Sequence, residues 1–143
     1  MNIAFFLIPK NEVATIEIES TVRQALEKME HHKYTSVPLI DEKGKYKGTL
    51  TEGDLLWFLK KEGKMNLQEL EGVKLKDVPR RHDNKAISIY AEMGSILLQA
   101  TEQNFVPVID DHGTFIGIIR RREIIEFYAK SVFKAGETGN EQE

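Results

Sequence analysis

The chain contains no cysteine at all. Disulfide bridges and zinc sites built on thiolates both need cysteine side chains, so both are excluded. A chain of 143 residues, 41% of them hydrophobic, must therefore be held together by an apolar core. That amount of apolar material suits one compact unit.

Long hydrophobic runs are also missing. The opening run, residues 3–8, has only six apolar side chains, with no basic segment before it and no cleavage pattern after it. A signal peptide needs a longer apolar stretch, and a membrane-spanning helix needs about 20 residues. The sequence therefore predicts a soluble protein of the cytoplasm that does not bind membranes.

An excess of charge of one sign is the third absence. Twenty Lys and Arg residues face 23 Asp and Glu residues, and the formal net charge is −3. Such a balance exerts no global attraction on nucleic acid or on an anionic membrane. No aromatic residues are interleaved with the arginine runs, which further disfavours nucleic acid. Any basic binding site must be local.

The chain contains two copies of one unit. Residues 37–58 align without a gap on residues 106–127, and Pro38 falls on Pro107. The alignment divides the chain into a first repeat, a connector, a second repeat and a flexible tail: residues 1–61, 62–75, 76–133 and 134–143.

Each copy predicts the order strand, helix, strand, strand, helix. The apolar residues of the first predicted helix recur at the offsets of one helical face: Val22, Ala25, Leu26 and Met29. Two units of about sixty residues would each struggle to bury a core alone. The sequence therefore predicts an α+β fold of two pseudo-symmetric β-α-β-β-α repeats packed face to face. In the connector, residues 67–70 are expected to be helical.

The repeated order, the Val-Pro-x-x-Asp series and the Gly48-Thr49-Leu50-Thr51-Glu52-Gly53-Asp54 ending resemble a tandem CBS (cystathionine β-synthase) domain pair. The resemblance extends from Leu7 to Ser131. Because no further domain is recognised in the sequence, the resemblance is to the stand-alone members of the family. It implies a regulatory module that binds an adenosine compound between the repeats and transmits this event to a protein partner.

Thr51 and Asp54 have two interpretations. Thr-x-x-Asp at a strand-to-helix junction predicts a capping box, in which each side chain satisfies backbone groups of the first turn. The resemblance also implies that Asp54 accepts hydrogen bonds from ribose hydroxyls and that Thr51 helps to hold the sugar or the phosphate. A carboxylate suits two vicinal hydroxyls because it is acceptor-only when ionised.

Arg120, Arg121 and Arg122 stand where the last helix begins, followed by Glu123. Cations are unfavourable at a helix N-terminus, and arginine cannot cap it. An anion would offset this cost, so at least one of the three is predicted to bind phosphate. A solvated basic cluster and a contact with a partner protein are the alternatives.

The remaining candidates come from the resemblance. The leading segments of the two copies carry Lys10 and Arg80-Arg81, which are expected to reach phosphates or simply to be solvated. The resemblance places Val13, Ala14 and Thr15 at one wall of the first cleft. The segments expected against an adenine, in competition with core packing, are Tyr34, Thr35, Ser36 and Pro38 and their counterparts Phe105, Val106 and Pro107.

No cluster of nucleophile, base and oxyanion donor is found, and no metal-binding spacing, so the chain is not expected to be an enzyme or to hold a cofactor or metal. The expected regulatory ligands are AMP, ADP, ATP and cyclic di-AMP, with S-adenosylmethionine ranked lower. The closing helices are apolar on more than one face, which predicts a homodimer with Trp57 or Phe133 near its interface. The alternative function is a ligand-free dimerisation or scaffold module that docks a partner protein.

Overall fold

The structure is a computed structural model that describes residues 2–63, 66–81 and 83–141, with side chains through residue 133. Its helices and strands follow in chain order: β1 (Ile8–Pro9), β2 (Ile16–Glu17), α1 (Val22–His32), β3 (Ser36–Ile40), β4 (Tyr46–Thr51), α2 (Glu52–Glu62), α3 (Leu67–Leu70), β5 (Ile87–Ser88), α4 (Met93–Ala100), β6 (Phe105–Ile109), β7 (Phe115–Arg120) and α5 (Arg121–Glu141). This order confirms the predicted β-α-β-β-α repeat, and α3 lies where the connector was expected to be helical.

Two mixed sheets are built on the same plan. In the first, β2 pairs in parallel with β3, and β3 pairs antiparallel with β4. In the second, β5, β6 and β7 repeat this arrangement, and β1 adds an antiparallel edge to β7. Pro38 lies opposite Thr49, and Pro107 opposite Ile118. The sheets therefore preserve the sequence repeat residue by residue.

Helix α1 shows why its sequence folds as predicted. Thr21 accepts the N–H of Gln24, whose side chain accepts the N–H of Thr21, so the capping box is complete. Val22, Ala25 and Met29 form its buried face. In the second repeat, α4 begins after Glu92, which makes no side-chain cap.

The packing crosses the predicted repeat boundaries. Ile3 and Phe6, assigned by sequence to the first repeat, are buried in the core of the second. Val78, assigned to the second repeat, is buried in the core of the first. Strand β1 explains the first crossing, because its pairing with β7 carries the preceding 3-10 turn, Ile3–Phe6, onto the second repeat.

The repeats meet through two reciprocal hydrogen bonds. Tyr46 donates its backbone N–H to the carbonyl of Gly113 at 3.2 Å, and Phe115 donates to the carbonyl of Gly44 at 2.9 Å. Tyr46 and Phe115 occupy the same place in the two copies, and their rings stack at 6.4 Å. This pair marks the pseudo-twofold axis between the repeats.

Helix α5 has 21 residues, whereas its counterpart α2 has 11. Its backbone continues through residues 134–141, which the sequence assigned to a flexible tail. No proline interrupts this stretch. Among the described residues, no helix has both the length and the apolar character needed to span a bilayer.

Candidate functional site

The capping box predicted at the start of α2 is present. Thr51 Oγ1 accepts the N–H of Asp54 at 3.1 Å, and Asp54 Oδ2 accepts the N–H of Thr51 at 2.9 Å. The Asp54 side chain lies in the interior, where the residue is only 2% exposed. The carboxylate is thus fixed at the strand-to-helix junction by the first turn of the helix it caps.

The second oxygen of Asp54 is bonded to the other repeat. Asp54 Oδ1 accepts the backbone N–H of Arg81 at 3.0 Å. The guanidinium of Arg81 lies over the ring of Trp57, 4.5 Å from its centroid. Both carboxylate oxygens of the predicted ribose-binding residue therefore already accept backbone N–H groups.

Arg81 belongs to a strap, residues 79–81 and 83–85, that leads into the second repeat and crosses onto the first. Asp83 Oδ1 accepts the N–H of Thr49 at 3.0 Å and the Nε–H of Arg80 at 2.7 Å. Arg80 also donates to the carbonyl of Lys47 at 3.2 Å. These bonds hold the strap along strand β4.

Tyr46 fastens the strap from beneath. Its hydroxyl donates to the carbonyl of Asn84, and the hydroxyl of Thr49 lies 2.7 Å away as its other partner. Burial raises the pKa of Tyr46 to about 12, because the charged phenolate would lose its hydration there. The phenol is therefore neutral and able to donate at physiological pH. The sequence offered no motif for this residue.

Gln103 fastens the far end of the strap. Its side-chain oxygen accepts the N–H of Lys85 at 2.9 Å, and its amide nitrogen lies 3.2 Å from the carbonyls of Lys85 and Phe105. The residue is buried, which is unusual for glutamine and explains why sequence reasoning missed it.

A cleft of about 290 Å³ lies between the repeats, and Asn84 of the strap is part of its wall. Hydroxyl and amide groups dominate it, and both repeats contribute. Its lining residues are Thr35, Ser36, Thr49, Thr51, Glu52, Gly53, Asn84, Glu102, Gln103 and Asn104. Of the predicted site, Thr35, Ser36 and Thr51 line this cleft. Asp54, on the same helix turn, instead borders a second cavity of about 480 Å³ together with Trp57 and Arg81.

The leading segment of the first repeat lies against the second repeat. Val13 packs on the cluster that contains Phe105 and Phe115. Ala14 and Thr15 are half-buried, and the carbonyl of Thr15 accepts a hydrogen bond from the ammonium group of Lys28. The structure therefore separates these residues from the cleft at Thr51. Lys10 is exposed within the 3-10 turn Lys10–Glu12, near the Gly44 turn.

Several residues predicted to contact an adenine are core residues. Pro38 and Pro107 are buried within their strands, and Val106 has no exposed surface. Phe105 is buried beside Phe115. Core packing thus accounts for all four.

Tyr34 lies outside the cleft. It stacks on His32 and borders a groove of about 1030 Å³ on the outer surface, between α1 and α2. Its backbone N–H bonds to the carbonyl of Met29 as α1 ends, in the turn that leads to β3. Leucines dominate the groove: Leu26, Leu55, Leu56, Leu59 and Leu67.

The three arginines at the start of α5 have different surroundings. Arg121 is half-buried and donates its Nε–H to the carbonyl of Gln103 at 3.0 Å. Arg122 is exposed and pairs with Glu126 one turn later, and Arg120 is exposed at the end of β7. Glu123 is half-buried. Arg121 alone is therefore directed towards the wall of the cleft.

In the described part of the chain, no group of three or more His, Cys, Asp or Glu side chains is placed to hold a metal ion. Backbone N–H groups of the two matching turns lower the pKa values of Asp41 and Asp110, and the hydrogen bond from Lys74 lowers the pKa of Glu19. None of these three carboxyl groups lines the cleft.

Comparison with known proteins supplies the family context. A family model described as CBS domain matches residues 7–61 and 85–130. The chain is 33% identical over 115 residues to a homoserine O-acetyltransferase of Methanobrevibacter ruminantium, and 26% identical over 115 residues to an inosine-5'-monophosphate dehydrogenase of Methanocaldococcus jannaschii. Each match covers 80% of this chain but only 22% and 21% of those proteins. The chain thus spans about a fifth of the length of these two curated relatives. A CBS domain-containing protein of Dictyostelium discoideum is 24% identical over 123 residues, which cover 81% of this chain and 84% of that protein.

Solved structures share the fold. A structure of CbpB in complex with c-di-AMP superposes with a TM-score of 0.83 and 22% identity, covering 96% of this chain and 91% of that one. CbpB of Listeria monocytogenes in complex with c-di-AMP has a TM-score of 0.81 at 21% identity, covering 93% and 98%. CBSX2 in complex with AMP has a TM-score of 0.70 at 22% identity, covering 90% and 96%. Each likeness covers at least 90% of this chain and therefore extends over both repeats.

Proposed function

Because this chain belongs to the CBS domain family as a tandem pair of repeats, we propose that it is a regulatory module that binds an adenine nucleotide between its repeats. The observation that carries the proposal is the cleft of about 290 Å³ to which both repeats contribute hydroxyl and amide groups. A ligand there touches both copies, so its binding energy favours one relative position of the repeats over another.

The roles of the residues that line the cleft, and of those beside it, follow from donor and acceptor chemistry. Asp54 is the acceptor for ribose hydroxyls, because an ionised carboxylate accepts two donors at once. Thr35, Ser36 and Thr51 offer hydroxyls to the sugar, the base edge or a phosphate. Arg121 and the strap arginines supply the positive charge that a phosphate needs.

The likeness to folds solved with nucleotides supports the choice of ligand. CbpB was solved with c-di-AMP and CBSX2 with AMP. The cleft is near the lower limit of the usual range for small-molecule sites, about 300–1,000 Å³. That size suits a mononucleotide, whereas a dinucleotide requires the cleft to widen. The module binds and signals without catalysing a reaction, and the partner it signals to is a protein.

Thermal unfolding with a panel of nucleotides tests the proposal. AMP, ADP, ATP, cyclic di-AMP and S-adenosylmethionine are each added at saturating concentration. A ligand at a hundred times its dissociation constant adds about 2.7 kcal/mol to the free energy of unfolding, which raises the midpoint by several degrees at this size. We expect a shift from at least one phosphate-bearing ligand. Unchanged midpoints across the panel would refute nucleotide binding.

A second candidate is a scaffold that acts by self-association without a ligand. Leu56, Ile125, Val132 and Phe133 expose between 58% and 71% of their surfaces on α2 and α5. Exposed apolar stripes of this kind favour a protein interface. A homodimer through these helices is compatible with either function, and nucleotide binding decides between them.

A further inference from the structure

Both carboxylate oxygens of Asp54 accept backbone hydrogen bonds, and one of these bonds limits the access of a nucleotide. The Oδ2 atom accepts Thr51 N–H, the Oδ1 atom accepts Arg81 N–H, and the residue is 2% exposed. The first bond belongs to the helix cap and is retained whenever α2 is folded. The second comes from the strap. Each oxygen keeps a free lone pair, but the residue is so deeply buried beside Arg81 that a ribose hydroxyl gains access to the carboxylate only if Arg81 moves away.

Arg81 is held by its side chain as well. Its guanidinium lies 4.5 Å from the centroid of the Trp57 ring. Trp57 stands three residues after Asp54 on α2, so both face the same side of the helix. One residue of the strap is thus attached twice to α2, through its N–H at Asp54 and through its guanidinium at Trp57.

Space is available beside these contacts. A cavity of about 480 Å³ extends from Asp54 along α2, bordered by Trp57, Lys60, Pro79 and Arg81. Displacement of Arg81 into this cavity needs no change in the core, because Trp57 is 42% exposed and Arg81 is exposed.

We propose that Trp57 is a positioning residue of the nucleotide site, an inference that rests on the proposed function. Its ring holds Arg81, and through Arg81 the strap, in the position that covers Asp54. A ribose hydroxyl that bonds to Asp54 replaces the N–H of Arg81, and the guanidinium then leaves the ring. Nucleotide binding and the Arg81–Trp57 contact exclude each other.

The first test needs no ligand. Amide hydrogen exchange is measured by NMR at Arg81, with Leu39 in the core as the reporter of global unfolding. Trp57→Leu should accelerate exchange at Arg81 about two- to fivefold, the range of one exposed cation–π contact, and leave Leu39 unchanged. Trp57→Phe retains an aromatic ring, so its exchange rate at Arg81 should lie between those of the wild type and Trp57→Leu. Lys60→Met removes the other cation over the ring and should match the wild type. Equal exchange in wild type and Trp57→Leu overturns the proposal.

The second test measures AMP affinity by calorimetry. Trp57→Leu should bind AMP about two- to fivefold more tightly than the wild type, because opening the strap no longer breaks the ring contact. An unchanged or weakened affinity overturns the proposal, and weakening would make Trp57 a direct ligand contact. If the wild type binds no nucleotide, the proposed function fails, and the exchange measurement alone decides whether Trp57 holds the strap.

Intrinsic fluorescence gives an independent readout, because the chain has a single tryptophan. Saturating AMP should change the emission of Trp57 in the wild type. Arg81→Ala without ligand should already show that emission, and AMP should change it no further at concentrations that calorimetry shows to saturate this variant. If AMP changes the emission equally in both proteins, nucleotide binding does not remove Arg81 from the Trp57 ring, and the proposal is contradicted.

Discussion

Gly48 of the first repeat lies directly beneath Arg80 of the strap. A Cβ atom built on Gly48 would stand 2.9 Å from Arg80 Nε and 2.7 Å from Asp83 Oδ1. Gly117, its counterpart, lies in the same way beneath Ile8 of the first leading segment. Each repeat thus presents a glycine to the leading segment of the other repeat. Only glycine allows these two backbone segments to approach so closely.

The two glycines should respond differently to alanine. Gly48 has a φ of +138°, so Gly48→Ala adds backbone strain of about 1–3 kcal/mol, but the crowded atoms are side-chain ends that can move. In Gly117→Ala the new methyl would overlap the carbonyl of Ile8, which β1 holds in the sheet. Urea unfolding should show the larger loss for Gly117→Ala. Equal losses would mean that the strap is as rigid as β1.

The two helix starts offer a matched pair. Thr51→Ala removes the cap of α2 and should lower the free energy of unfolding by about 0.5–2 kcal/mol. Arg120→Ala, at the same place in the second repeat, removes an exposed cation and should change stability by less than about 0.5 kcal/mol. Chemical denaturation of both variants checks the difference. A large loss in Arg120→Ala would reveal a contact of that side chain in the folded protein.

Stability should fall in alkali because of Tyr46. Its pKa is about 12 in the folded protein and 10.0 without the fold, so between these values the unfolded chain releases the proton first. Below pH 10 this difference in pKa leaves the free energy of unfolding unchanged. By pH 11 the free energy of unfolding has fallen by about 1 kcal/mol. Tyr46→Phe should remove this part of the slope. Because Phe115 fills the equivalent position, the variant should fold, though it should be about 1–3 kcal/mol less stable at pH 8. Identical slopes in the two proteins would place the Tyr46 hydroxyl in solvent.

Asp54→Asn should weaken nucleotide binding about tenfold or more, because the amide loses a charge-assisted acceptor for ribose. Glu123→Gln makes the same change at the matching position of the second repeat. If the ligand binds at Asp54, this variant should keep its affinity for AMP within about twofold. Direct titration of both variants with AMP measures the effect independently of folding stability. A greater loss in Glu123→Gln would move the site to the second repeat.

The exposed apolar pair Val132 and Phe133 on α5 predicts self-association. Val132 and Phe133 are 69% and 71% exposed, and replacing both by serine should convert a homodimer to a monomer in sedimentation equilibrium. Lys130→Ala, also exposed on α5, is the control and should leave the mass unchanged. A monomeric wild type would remove the homodimer from the proposal.

Local patterns made much of the fold predictable. The capping box at Thr51, the apolar face of α1 and the short helix in the connector all depend on residues within one or two turns of each other. The repeat itself doubled each of these signals. The same sequence logic could not show that Ile3 packs on the second repeat, because β1 is two residues long and carries no periodicity.

The candidate site was only partly predictable for the same reason. Thr35 and Ser36 line the cleft, whereas Tyr34 lies in the outer groove. The bond between Asp54 and Arg81 joins residues 27 positions apart, and the strap has no regular structure that a pattern would mark. Gln103 acts through its buried amide, a role that no composition rule assigns to glutamine.

The burial of Ile3 and Phe6 in the core of the second repeat has a consequence during synthesis. Phe6 packs edge-on against Phe127 at 5.1 Å and belongs to the core that β7 and α5 complete. Phe6 leaves the ribosome well before Phe127, so it stays unburied until the second repeat has been synthesised. Until then it is exposed to chaperones and to other nascent chains, so completion of the fold should be a late and slow event in translation.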